Sequence, residues 1–419
     1  MNETSGVLRA VALAIVAVIF PIAAHAQVAG MRGFVEGTGL AFPQDTPLDG
    51  TNLVGDLLIR DEGFVKPLPW LQVAGGLDFR ANTHDQVDDS WRVDFRDRGQ
   101  LRPRLSVRRL NATIAKGPLT LDIGKQFIRW GKTDIVTPTD RFAPRDFINV
   151  TDNDFLAVTG VRAVLQHGSN SVEGVWVPWL TPSRIPLLNQ RWTAVPNRPA
   201  VPLIDKGAVF PSGSQTGIRL SHTGKGYEAA ATFYNGFNTL PDIVTQPNLI
   251  PPGIPVSVSL FKQYREQRMY GVDAAVPTKW FTVKGETGYF TTTTPGADEY
   301  VIYVVQLERQ VKEWVLDGGY AGQVITEAGT LKSFAPDRGL TKSIVARASY
   351  TIDPNRNAAV ETAIRQNGDG FLLKGVFSQA HGRHIRVTAS ASLLRGQPTD
   401  FLGQFRLNSH ATLALRYSF

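Results

Sequence analysis

The chain contains no cysteine, which excludes a disulfide framework and any thiolate metal site. It also lacks long hydrophobic runs: no apolar stretch approaches the 18 or so residues of a membrane-crossing helix. Catalytic signatures are missing too. There is neither a G-x-S-x-G elbow nor an H-E-x-x-H pair, and no acidic loop has EF-hand spacing. The seven histidines are dispersed. His381 and His384 flank a tight turn and read as rim residues rather than ligands. An enzyme therefore finds no machinery here, and no cofactor is implied.

What is present begins with an export signal. Ala10 to Phe20 is an apolar run of eleven residues, followed by Pro21 and then Ala24-His25-Ala26. That length suits a secretory h-region, and small-x-small suits signal peptidase. The sequence predicts a cleaved leader over 1–26 and one domain over 27–419.

Hydrophobic residues make up 42% of the chain but are spread as alternation. Ile385, Val387, Ala389, Ala391 and Leu393 fall on one face, with Arg386, Thr388, Ser390 and Ser392 on the other. Ile344, Ala346, Ala348, Tyr350 and Ile352 oppose Arg347, Ser349 and Thr351. Phe281, Val283 and Tyr289 oppose Thr282, Lys284 and Glu286. A period of two marks half-buried strands.

About eighteen such strands can be placed, and their connections alternate in length. Short ones include 116–118, 167–171, 223–226, 277–279, 312–313, 353–357 and 380–383. Long ones include 80–101, 131–155, 180–213, 236–265, 292–300, 327–340 and 396–403, with 367–370 a short exception among them. A sandwich has no reason to segregate loop lengths, whereas a transmembrane antiparallel up-and-down β-barrel does: short periplasmic turns, long extracellular loops. Aromatics agree. Trp70, Tyr227, Trp280, Trp314, Tyr417 and Phe419 gather near the turns; Phe233, Tyr289, Tyr303 and Tyr320 gather near the loops, as two interfacial girdles require. The fold class is all-β. Sixteen strands with an N-terminal segment tucked inside is the alternative, because the first two candidates are Gly-rich or less cleanly alternating. The apolar parity slips between Val107 and Leu110, which predicts a bulge near Arg108 and Arg109.

The leader, the alternating strands, the turn/loop asymmetry and the terminal LALRYSF resemble Gram-negative outer-membrane porins. That resemblance implies residence in the cell outer membrane, among its lipid and lipopolysaccharide. It also implies that the barrel-assembly machinery reads the last strand, at Leu413, Leu415, Tyr417 and Phe419. One segment, Gly124 to Val150, resembles a WG…D…P.D…P.D stretch in poorly characterised barrels found beside RND-type exporters.

If the apolar face meets lipid, the other face lines the bore, since Arg or Lys in mid-bilayer costs about 2–4 kcal/mol each. The basic pore-lining set is then Arg102, Arg104, Arg162, Arg219, Arg347, Arg365, Lys374, Arg386, Arg406 and Arg416. The acidic set is Glu228, Asp273, Glu286, Glu308 and Asp317. Their order along the chain predicts an acidic wall followed by a basic wall, the latter interrupted only by Glu361. Opposed rows of charge select ions, although mutual neutralisation would fill a closed interior instead. Segment 131–155 carries Lys132, Asp134, Asp140, Arg141, Arg145 and Asp146, stiffened by Pro138 and Pro144. It either folds into the bore as a constriction or lies on the rim and braces other loops.

The resulting expectation is a channel for small hydrophilic solutes with mild anion preference, possible as a homotrimer, with no nucleic-acid partner. Two rivals stand beside it: a specific conduit for an amphipathic compound working with an inner-membrane exporter, and a plugged barrel acting as a structural or adhesive envelope protein.

Overall fold

A computed structural model describes residues 28–89, 91, 94–134, 136–194, 199–333 and 335–419; the leader expected over 1–26 lies outside them. Eighteen strands form one antiparallel sheet. In chain order they begin β1 (Val28–Ala41), β2 (Leu53–Leu68), β3 (Leu71–Asn82), β4 (Leu105–Lys116), β5 (Leu119–Gln126) and β6 (Val158–His167). They continue as β7 (Asn170–Val177), β8 (Gln215–Gly224), β9 (Tyr227–Phe237), β10 (Glu266–Pro277), β11 (Thr282–Thr291) and β12 (Glu299–Val311). The last are β13 (Trp314–Glu327), β14 (Ser343–Asp353), β15 (Arg356–Arg365), β16 (Gly370–His381), β17 (Ile385–Gly396) and β18 (His410–Ser418).

Each strand pairs with its chain neighbours, and β18 pairs with β1 from Phe34↔Ser418 to Ala41↔Ala411. Two further backbone bonds between Gly33 and Phe419, at 3.1 and 3.0 Å, finish the seam. The ring is closed, so no strand edge is left unpaired. The first two strands belong to this ring, which removes the sixteen-strand alternative.

Connections alternate as the residue pattern requires. One end carries turns such as 117–118, 168–169, 312–313 and 354–355; the other carries 42–52, 83–104, 127–157, 178–214 and 238–265. Gly117, at φ +57°, takes the left-handed conformation that the β4–β5 turn demands. The one short connection at the loop end, 366–369, is where the sequence places it. The bulge is present: Gly76 pairs with Arg109 and Leu77 with Val107, leaving Arg108 as the extra residue.

The outer face is apolar and exposed. On β18, Leu413, Leu415 and Tyr417 are each about half exposed, with half-buried Thr412, Ala414 and Arg416 between them. Trp70, Tyr227, Trp280 and Trp314 stand exposed beside the turns. No described helix is long and apolar enough to cross a membrane. Beyond the barrel, the long loops form a small sheet in which Asp242–Ile250 and Ile254–Gln263 make a hairpin joined by Leu203–Val209.

Candidate functional site: an internal strut and the wall it leaves open

The β5–β6 connection, 127–157, runs inside the ring. Its outgoing limb lies on inward-facing residues of β8 to β12. Glu286, in the middle of β11, accepts backbone N–H bonds from Lys132 (2.8 Å), Thr133 (2.9 Å) and Thr139 (2.8 Å). Gln306, on β12, accepts from the Asp134 N–H at 2.8 Å and donates to the Asp134 carboxylate at 2.8 Å. Lys284 reaches the same carboxylate at 3.1 Å and Glu308 at 2.7 Å. Lys132 pairs with Glu228.

Three glycines make room for this limb. A Cβ on Gly217 would stand 2.5 Å from Trp130 Cη2 and 2.8 Å from Phe142 Cε2. On Gly271 it would stand 2.7 Å from Thr139 Cγ2, and on Gly288 3.2 Å from Pro138. Trp130 and Phe142 meet edge to face at 5.0 Å, and Phe142 meets Tyr234 the same way at 5.1 Å. With Ile128, Val136, Val158, Val175 and Val177 they form a buried cluster. Trp130 also donates through Nε1 to Glu173 at 2.6 Å, and Arg162 clasps that carboxylate at 2.7 and 2.9 Å.

The returning limb goes to the far side of the ring. Asp154 accepts from Arg60 at 3.2 Å and from the bulged Arg108 at 3.1 Å, on β2 and β4. Strands β2–β4 and β10–β12 are eight positions apart in a ring of eighteen, so the segment crosses the bore as a strut. Along the way Asp146 joins the loops. Arg102 grips it at 2.8 and 3.1 Å, Arg184 approaches to 3.4 Å, and Arg184 also binds Asp97. Burial alone would raise the Asp146 carboxyl, but the charges of Arg102 and Arg184 outweigh it and hold it well below the usual carboxylate range. Burial pushes the Asp140 carboxyl up despite Arg129 at 2.9 Å. The outgoing limb lies against the barrel wall at Glu286, and the returning limb joins the other loops through Asp146.

The charged residues separate by wall. Asp273 and Glu286 are 4% and 3% exposed, the first taken by Arg219 at 2.7 Å and the second covered by the strut. Neither faces an open lumen: Arg219 occupies the Asp273 carboxylate, and the strut uses the Glu286 carboxylate as its seat. Asp317 faces Glu308 and Arg347 in register. On the other side Arg347 meets Glu361 at 3.4 Å and Arg416 meets Glu36 at 2.7 Å. Arg365 is held by Asp400 at 2.7 Å. Half-buried Lys374 and exposed Arg386 stand inside the ring without a carboxylate in salt-bridge range among the described residues.

Three expected wall residues lie off the barrel strands. Arg102 sits in a two-residue loop strand, Arg102–Pro103, buried on Asp146. Arg104 precedes β4 and pairs with Asp89 in the same loop. Arg406 lies on a 3-10 helix, Gly403–Asn408. Alternation on either side of a loop strand or a helical turn imitates a longer strand, so periodicity carried these residues into the wall. Conversely, Arg184 and Arg191 escape any period-two reading. Arg191, 3% exposed, donates to the carbonyls of Thr51 (2.6 Å) and Gln44 and stacks 4.2 Å over Phe42.

Between the strut and strands β1–β3 and β18 lies a cavity of about 340 Å³, reaching from Phe42 and Trp192 near the loops to Phe34, Arg60 and Arg416 at mid-height.

No protein-family model and no curated protein sequence matches the chain. Its fold is nonetheless that of solved porin-type barrels. OccAB4 of Acinetobacter baumannii is similar over 94% of this chain and 98% of that one, with TM-score 0.57 and 10% identity. A BenF-like porin from Pseudomonas fluorescens Pf-5 covers 94% and 99%, with TM-score 0.55 and 9% identity. OpdQ of Pseudomonas aeruginosa covers 93% and 97%, with TM-score 0.54 and 9% identity. At such identities the likeness is one of fold.

Proposed function

We propose that this protein is an outer-membrane channel of a Gram-negative bacterium, passing small hydrophilic solutes by passive diffusion with a preference for anions. One observation carries the reading. The strut and Arg219 take up Glu286 and Asp273 of the acidic wall, while on the wall of β14–β18 Lys374 and Arg386 have no partner carboxylate among the described residues. A field of that sign concentrates anions in a low-dielectric passage. The apolar outer face suits lipid, the short turns suit the periplasm and the long loops the surface, beside lipopolysaccharide. The closing strand, with Leu413, Leu415, Tyr417 and Phe419 outward, is the segment the barrel-assembly machinery would read. A homotrimer belongs to the same reading.

The exposed hairpin tip favours a second reading. Leu249, Ile250 and Ile254 are 56, 48 and 55% exposed, an apolar surface that fits a conduit receiving an amphipathic compound from an inner-membrane exporter.

Planar-bilayer recording of the purified protein tests the first reading. Stepwise ohmic conductance with a reversal potential favouring anions is expected; silence at all voltages points to a plugged barrel and overturns it.

A further inference from the structure

The strut is attached to the middle of the barrel wall chiefly through one side chain. Three backbone N–H groups, of Lys132, Thr133 and Thr139, and the Thr139 hydroxyl converge on the Glu286 carboxylate at 2.8–2.9 Å. The Thr133 hydroxyl stands 2.9 Å from the same carboxylate and 2.6 Å from the Val136 carbonyl, so its single proton is shared between the two. Donors reach both carboxylate oxygens, the group is buried, and the bonds are charge-assisted, roughly twice as strong as neutral ones. The limb thus curls into a nest of donors of the kind that binds anions, and a wall carboxylate fills it.

The same limb keeps charges exposed, two of them while paired with the wall at Glu228 and Lys284. Arg129 and Asp134 have side chains 44 and 70% exposed, and Lys132 is 29% exposed. Where these charges stand depends on how the nest is seated. We propose that Glu286 is the positioning residue of the channel: its carboxylate seats the strut and thereby sets the width of the bore and the place of Arg129, Lys132 and Asp134 within it. This rests on the channel reading only for its conductance readout.

The variant Glu286→Gln keeps the shape but turns an NH2 group toward donors. Hydrogen exchange by mass spectrometry over 130–140, in the folded full-length barrel, is expected to accelerate by about tenfold or more, while peptides from 83–104 and 178–214 exchange as before. In bilayers the same variant flickers between conductance levels. In Glu286→Ala the nest is empty, and added acetate is expected to slow exchange and quiet the flicker, whereas in Glu286→Gln the side chain blocks acetate. Unchanged exchange over 130–140 in Glu286→Gln overturns the proposal. So does equal acceleration in all three loops, which would make Glu286 a general stability residue. Should neither Glu286 variant insert, Thr139→Val removes one donor and is read the same way, with unchanged exchange again overturning it. Exchange reads the seat whether or not the barrel conducts, so a silent wild-type barrel would sink the channel reading alone.

Discussion

Arg102 donates from Nε to Asp146 Oδ2 at 2.8 Å and from Nη2 to Oδ1 at 3.1 Å, tying two loops forty-four positions apart at a buried pair. Both residues are below a tenth exposed. Arg184 adds a second guanidinium and brings in a third loop. Three inner segments therefore share one carboxylate.

Removing that carboxylate strips buried Arg102 of its two-bond partner, leaving it only the Asp56 carboxylate at 3.8 Å, while Arg184 keeps Asp97. Asp146→Asn is expected to destabilise the folded barrel by about 3–5 kcal/mol, the range for breaking a buried ion pair from one side. Denaturant unfolding from detergent micelles measures it; a loss under about 1 kcal/mol would mean the network is not a structural joint.

The same group has a pH signature. Its folded pKa lies below the unfolded carboxylate value, so the stabilisation is complete above about pH 4 and is lost as pH falls through the folded value. Protection of the peptide containing Asp146 is expected to hold through mildly acidic buffer and to fail only well below pH 4. Loss of protection between pH 7 and 5 would contradict this assignment. Asp146→Asn should flatten the acid transition.

Gly217 has no room for a side chain. Gly217→Leu would drive into Trp130 and Phe142 and lift the outgoing limb of the strut from the wall. Overpacking of this kind costs about 1–3 kcal/mol, and the barrel itself should still close. Larger single-channel conductance with an intact heat-dependent gel shift is the expected outcome; wild-type conductance would show that the limb does not narrow the path.

Selectivity is tested on the wall that the strut leaves open. In the double variant Lys374→Glu/Arg386→Glu, the reversal potential in a salt gradient should move toward cations, with the permeability ratio changing by about twofold or more. Arg406→Glu, on its 3-10 helix, should change it less. An unmoved reversal potential in the double variant rejects the basic wall as the selectivity element.

Phe419 closes the ring. Its ring lies where a Cβ on Gly33 would be, 2.5 Å from Cε2, and its backbone pairs with Gly33. Deleting Phe419 is expected to lower the yield of inserted barrel several-fold while leaving the conductance of each inserted channel unchanged. Normal insertion of the truncated chain would remove the terminal residue from assembly.

The barrel was legible because a strand in a closed ring has only two faces. Wherever one meets an apolar surround and the other a polar interior, as at Ile385 to Leu393, the requirement is written into alternate residues. The slipped parity at Val107 to Leu110 was readable for the same reason, since an extra residue shifts every later side chain by one face. Loop residues obey no period. Arg102, Arg104 and Arg406 fell near real strands and inherited a wall position they do not hold. Arg184 and Arg191, among the more consequential buried cations, carry no local pattern at all.

By itself, then, the sequence determined the ring, its polar inside, its turn and loop ends and the charges available to each wall, all consequences of a local period of two. Only the tertiary structure decided which charges remain open to the interior of the ring. That depends on where 127–157 lies, and its position follows from contacts among residues up to 172 places apart, such as Asp134 with Gln306. Gly217, Gly271 and Gly288 look in sequence like ordinary weak points of strands; their use appears only when Trp130, Thr139 and Pro138 are set against them. Local periodicity follows from the environment on either side of a strand. The strut follows from shape and hydrogen-bond complementarity across the bore, which no short window of residues contains.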